Sequence, residues 1–126
     1  EITENDYVSG RKFEDAWAYS YYPIDLHVKG GVFPEHLAEG VVPTIPMRAQ
    51  IPKNSRNLLV AGRCISSDQR ANSALRVQAS CMAMGQAAGA AAALACSLDT
   101  TPLEIPLDQI KTLLKEHGAI VPSNEK

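Results

Sequence analysis

The run Leu58-Leu59-Val60-Ala61 is short, continuously apolar and closed by Gly62, and beyond a polar loop the chain enters a stretch of alanine and glycine that reaches Cys96. An apolar run without alternation suits a strand covered on both faces, as in a parallel sheet. From Leu75 to about Cys96 the composition predicts one long helix. Strand, loop and helix in that order leave a crevice at the strand's carboxyl end and unpaired N–H groups at the helix start, a place suited to an acceptor-rich ligand. The expected fold class is therefore α/β.

The flanks are organised differently. Residues Glu1 to Ser20 are polar with scattered aromatics and have no clear period. Tyr21 to Val28 alternates as a half-buried strand does, with Ile24, Leu26 and Val28 on one face and Asp25 and His27 on the other. Gly30-Gly31 and the segment up to Pro43 read as loop, and so long a structureless run is functional or depends on neighbouring polypeptide. Thr44 to Ile51 alternates again, but Pro46 restricts it to an edge or to irregular pairing. Lys53 to Arg56 is a turn. A second helix is expected from about Leu107 to His117, with Leu107, Ile110, Leu113 and Leu114 as its apolar stripe, Pro106 at its start and Gly118 at its stop. These features divide the chain into a segment with two expected strands (1–52), a strand followed by the long helix (53–100), and a carboxyl-terminal helix and tail (101–126).

Charge and composition exclude several function classes. A net charge of −2 with scattered basic residues carries no nucleic-acid or anionic-membrane footprint. The helix from Leu75 to Cys96 has membrane length and a G-x-x-x-G at Gly85 and Gly89. Its apolar content is mostly alanine, however, and Arg76, Gln78 and Gln86 interrupt it, so a soluble setting explains it better. Gly85, Ala88 and Gly89 share one side and allow close approach to a sheet or cofactor. Cys64, Cys81 and Cys96 are odd in number and form no C-x-x-C, so they read as small buried thiols in a reducing, cytoplasmic setting. No metal site is expected.

Two residue groups could carry chemistry. Arg76 and Val77 fall at the expected helix start, where a cation opposes the helix dipole unless an anion or a carboxylate compensates. Arg76 is thus either a ligand contact or a surface arginine paired with an acid. Asp25 and His27 share a strand face and form either an acid–base pair or a solvated face. Gly30-Gly31 is not a phosphate loop, lacking both the G-x-G-x-x-G pattern and a following helix.

Three blocks in order, Tyr22-Pro23-Ile24-Asp25-Leu26-His27, then Ile45-Pro46-Met47-Arg48-Ala49, then Asn57 to Ala93 with VAGRCIS and CMAMGQAAG, resemble the carboxyl-terminal third of FAD-dependent oxidoreductases. The resemblance implies FAD as cofactor and a partial FAD/NAD(P)-binding, Rossmann-like core, with 1–52 as the end of a β-rich, substrate-side domain and 53–100 as the last strand and flavin-facing helix of the FAD-binding domain. It puts Gly62, Arg63 and Cys64 along the ribityl and pyrophosphate side, and Ser73, Ala74, Arg76 and Val77 at the helix start beside the flavin pyrimidine. Asp25, His27 and Arg48 fall where the substrate-side sheet faces the ring, as candidates for catalysis on a small-molecule substrate. Such proteins begin with a G-x-G-x-x-G turn for the ADP half of FAD, which these residues do not contain. The resemblance therefore implies an amino-terminal part of the same protein as partner, and a chain that is inactive alone. Two rival expectations are a non-catalytic module that self-associates through the glycine-bearing helix, and part of a polysaccharide (xanthan) lyase.

Overall fold

The computed structural model describes residues 1–123. In chain order it holds α1 (Glu4–Val8), β1 (Ala16–Tyr19), β2 (His27–Val28), β3 (Gly31–Val32), β4 (Thr44–Pro46), α2 (Gln69–Leu75), α3 (Gln78–Ser97) and α4 (Leu107–Glu116). Two antiparallel pairs make up its sheets, β1 with β4 and β2 with β3. One apolar core gathers Ile2, Trp17, Ile45, Leu75, Met84, Ala91, Ile110 and Leu114, so all three expected segments contribute to it.

The opening α1 is built by its ends. Thr3 and Asp6 form a reciprocal capping box, which satisfies donors at the helix start. Asp6 also accepts from Arg11 Nη1 at 2.7 Å. Arg11 and the Thr3 backbone hold the Asp6 carboxyl down at about 2, against an ordinary 3.8. A depressed carboxylate contributes stability that is present above its unfolded value and is lost as pH falls through its folded value. Acid titration is thus expected to remove on the order of 1–2 kcal/mol between pH 4 and pH 2, reduced from the full linkage value because Arg11 is solvent-screened. In Asp6→Asn, urea midpoints measured over that range should be flat by comparison.

Several sequence expectations are corrected. The strand expected over Tyr21 to Val28 shrinks to a single bridge, Ile24 with Glu35, and to the two residues of β2. Pro23 has no N–H for a ladder, and Gly30 and Gly31 at positive φ turn the chain straight back into β3. His27 and Val28 are both exposed, so the expected one-sided alternation is lost. The strand expected from Thr44 to Ile51 stops at Pro46 and tightens into a 3-10 turn, Met47–Gln50. Met47 N–H donates to the Asp15 carbonyl and Arg48 N–H to the Asp15 carboxylate, which fixes that turn.

The long helix begins later than its composition predicts. A separate α2 precedes it, and Val77 between them is extended at φ −69° and ψ 154°. β-Branched Val77 is a poor helix residue, and the break lets both helices bury a face: Ala71, Ala74 and Leu75 on one, Met84, Ala87 and Ala91 on the other. By length and composition α3 is apolar enough to cross a membrane, at 20 residues and a mean hydropathy of 1.3. In the structure it packs against β1 and α4 and against the turn Gly62–Cys64. The thiols depart from expectation too, for Cys64 and Cys96 are exposed and Cys81 half-buried.

Leu58 to Ala61 forms no ladder. Val60 alone is held, its N–H by the Gln50 carbonyl at 2.8 Å and its carbonyl by Gln50 Nε2 at 2.8 Å. The parallel sheet of the expected Rossmann-like core is thus not formed among the described residues, and Leu58 stands 54% exposed. By contrast α4 and its Gly118 stop, at φ +76°, form as the sequence predicts.

Candidate functional site

A polar pocket of about 430 Å³ opens between the β2–β3 hairpin and α2. The hairpin side supplies Leu26 and His27; the helix side supplies Asp68, Asn72, Ser73 and Arg76. Asp68 starts α2 as its cap, with Oδ1 accepting from Ala71 N–H at 2.8 Å and Oδ2 accepting from Glu4 N–H at 2.6 Å. An aspartate before a helix is a readable start signal, masked here because the apolar pattern was extended from Leu75 onward.

The hairpin is fastened to α2 by three contacts. Asp25 Oδ1 accepts from Arg76 Nη2 at 3.2 Å, and Asp25 N–H donates to Ser73 Oγ at 3.2 Å. Ser73 Oγ in turn donates to the Arg70 carbonyl at 2.7 Å. Arg70 bridges Glu4 of α1 and Glu35 at the base of the hairpin. Of the two sequence readings of Arg76, the acid-paired one is realised, yet only one of its N–H donors meets Asp25, and its side chain is 35% exposed toward the pocket.

Three of the predicted site residues, His27, Ser73 and Arg76, line this pocket, and Asp25 is bonded to Ser73 and Arg76 beside it. Arg48 does not line it. It belongs to the 3-10 turn Met47–Gln50, pairing Asp15 at 2.7 Å with its guanidinium over the Phe13 ring. Ala74 is fully buried and is a core residue. Ser73 and Ala74 sit in α2, not at the start of the long helix as expected.

The start of α3 is open. Its cap residue, Val77, offers no side-chain acceptor, and Cys81 N–H is the first to find a carbonyl, that of Val77 at 2.9 Å. The N–H groups of Gln78, Ala79 and Ser80 thus have no partner within the helix. Gly62, Arg63 and Cys64 form the turn that flanks this end. Gly62 is left-handed at φ +72°, and a Cβ there would stand 3.5 Å from Cys81 Sγ, so backbone conformation rather than space calls for glycine.

This donor set suits the pyrimidine edge of a flavin, which presents carbonyl and nitrogen acceptors and gathers negative charge on reduction. No glycine-rich phosphate turn accompanies it in the sequence. A larger cavity of about 940 Å³ lies between β1, α3 and the end of α4, and it is mainly apolar, with Ser20 and Ser80 at its wall. Among the described residues no group of three or more His, Cys, Asp or Glu could hold a metal.

The family model for FAD dependent oxidoreductases matches residues 1–114. The chain belongs to the FAD dependent oxidoreductase family. No curated protein and no solved structure gives a match.

Proposed function

We propose that this chain is the carboxyl-terminal, flavin-ring side of an FAD-dependent oxidoreductase acting on a small-molecule substrate. The observation that carries the reading is the uncapped start of α3 just after Arg76, which lines a polar pocket together with His27 and is paired with Asp25, in a chain of this family. FAD, when bound, supplies the electron-pair acceptor. The N–H groups of Gln78, Ala79 and Ser80 would hold its pyrimidine edge, and Gly62, Arg63 and Cys64 would line its ribityl side. Arg76, anchored by Asp25, orients a substrate oxygen, and the His27 imidazole takes or returns the substrate proton. The ADP half is held by an amino-terminal part of the same protein, whose sheet also covers Leu58 to Ala61. Alone, the chain is inactive.

Replacement of His27 by glutamine in the full-length flavoprotein tests the assignment. Turnover should fall by about 10²-fold or more, with flavin content unchanged, because a positioned acid–base group contributes roughly that much. Stopped-flow flavin reduction that proceeds at the parent rate would remove His27 from the site.

A further inference from the structure

Three buried hydroxyls tie the first turn of α3 to β1 and α1. Tyr7, Ser20 and Ser80 are 1%, 3% and 3% exposed. Ser80 Oγ lies 2.7 Å from Ser20 Oγ, and Ser20 Oγ lies 3.0 Å from Tyr7 Oη. Tyr7 Oη stands 3.0 Å from the Tyr22 carbonyl and receives Tyr22 N–H at 3.3 Å.

Proton count sets the direction of the chain. Each hydroxyl has one proton to give. A carbonyl only accepts, so Tyr7 donates to Tyr22; Ser20 then donates to Tyr7, and Ser80 to Ser20. Burial pushes the Tyr7 phenol above its ordinary value, which keeps its proton in place for this donation. The Ser80 proton is therefore committed away from the helix start. No side chain caps α3 either, so its first-turn donors stay open to a ligand while the turn is fixed from the side.

We propose that Ser80, Ser20 and Tyr7 are positioning residues which set where the amino-terminal donors of α3 stand against the flavin. This rests on the reading of that helix start as the flavin-facing end. A fully satisfied buried chain is stiff and responds as a unit when one member is lost. Tyr7 lies in α1 and its hydrogen-bonded link to α3 runs through the two serines, so a non-additive effect of Tyr7 on the cofactor reports transmission along the chain.

The experiment measures the FAD dissociation constant and the midpoint potential of bound flavin in the full-length holoprotein with Ser80→Ala, Tyr7→Phe and the double substitution. Ser80→Ala should weaken FAD binding by roughly two- to tenfold, the range of one net hydrogen bond. It should also move the potential to a more negative value, because reduced flavin relies more on the helix donors than oxidised flavin does. Tyr7→Phe should shift both in the same direction by less, and the double variant should go no further than Ser80→Ala. Ser80→Thr, which keeps the hydroxyl, should restore the potential. Variants that lower only the melting temperature, leaving potential and affinity at parent values, overturn the proposal, as do fully additive shifts. A full-length protein that cannot be reconstituted with flavin is a different result, and it overturns the functional reading beneath the proposal.

Discussion

Gln50→Leu is expected to cost about 3 kcal/mol of stability, since buried polar groups left without partners cost about 1–3 kcal/mol each. Gln50 is completely buried. Its Oε1 accepts from Trp17 Nε1 at 2.9 Å, and its Nε2 donates to the carbonyls of Val60 at 2.8 Å and Met84 at 3.2 Å. Leucine fills the volume but leaves the indole N–H and the Val60 carbonyl unpaired. Gln50 also accepts from Val60 N–H through its own carbonyl, so together with the packing of Leu59 on the core it holds the ladderless segment Leu58–Ala61 to the body of the protein. The melting temperature should fall by about 10 °C, on the scale of a domain this size. Amide exchange from Leu58 to Ala61 should accelerate well before global unfolding. A near-parent melting temperature with unchanged exchange would show that the segment is anchored elsewhere.

The second large effect concerns the open side of α3. Gly85 and Gly89 are exposed, and a Cβ at either would meet nothing within 4 Å. Met82 on the same side is 67% exposed. The buried side is instead Ser80, Met84, Ala87, Ala91 and Ala95. In the chain by itself, Gly85→Leu should be neutral or stabilising by up to about 1 kcal/mol, the helix-propensity gain over glycine. On the proposed reading the amino-terminal part of the full-length protein covers this face, and there the same leucine would overpack the contact at a cost of about 1–3 kcal/mol and occasionally more. There it should lower both flavin content and yield of folded protein. Sedimentation of the chain alone gives the rival reading its chance: self-association abolished by Gly85→Leu would make this side a homodimer seam. Unchanged flavin content in the full-length variant would likewise remove the amino-terminal part from that face.

Features decided by local chemistry were legible in the sequence. Pro106 and Gly118 bracket α4 because their backbones permit only a start and a stop there, and the Lys53–Arg56 turn follows from its polar run, with Asn54 left-handed at φ 65°. Features decided by distant partners were not. Alternation from Thr44 to Ile51 looked like a strand, yet Pro43 to Met47 are all buried, and it is Asp15, far back in sequence, that turns the chain at Met47. The break at Val77 was hidden because Ser73 to Cys81 keeps one helical composition throughout. Asp25, His27, Ser73 and Arg76 fall in the blocks that carry the family resemblance; the structure sets His27, Ser73 and Arg76 around one pocket and bonds Asp25 to Ser73 and Arg76. Ser20, Ser80 and Gln50 were missed because a buried polar residue has no sequence signature until its partner is known. Arg48 was grouped with Asp25 and His27 by resemblance, but its own turn carries it to Asp15.

The central claim is that these residues form the flavin-ring half of an FAD site whose ADP half lies in other polypeptide. Retention of FAD after desalting, measured for the chain alone and for the full-length protein, tests it most directly. The account predicts negligible retention by the chain alone and one flavin per full-length molecule. Stoichiometric, tight retention by the chain alone, or none by the full-length protein, would contradict it.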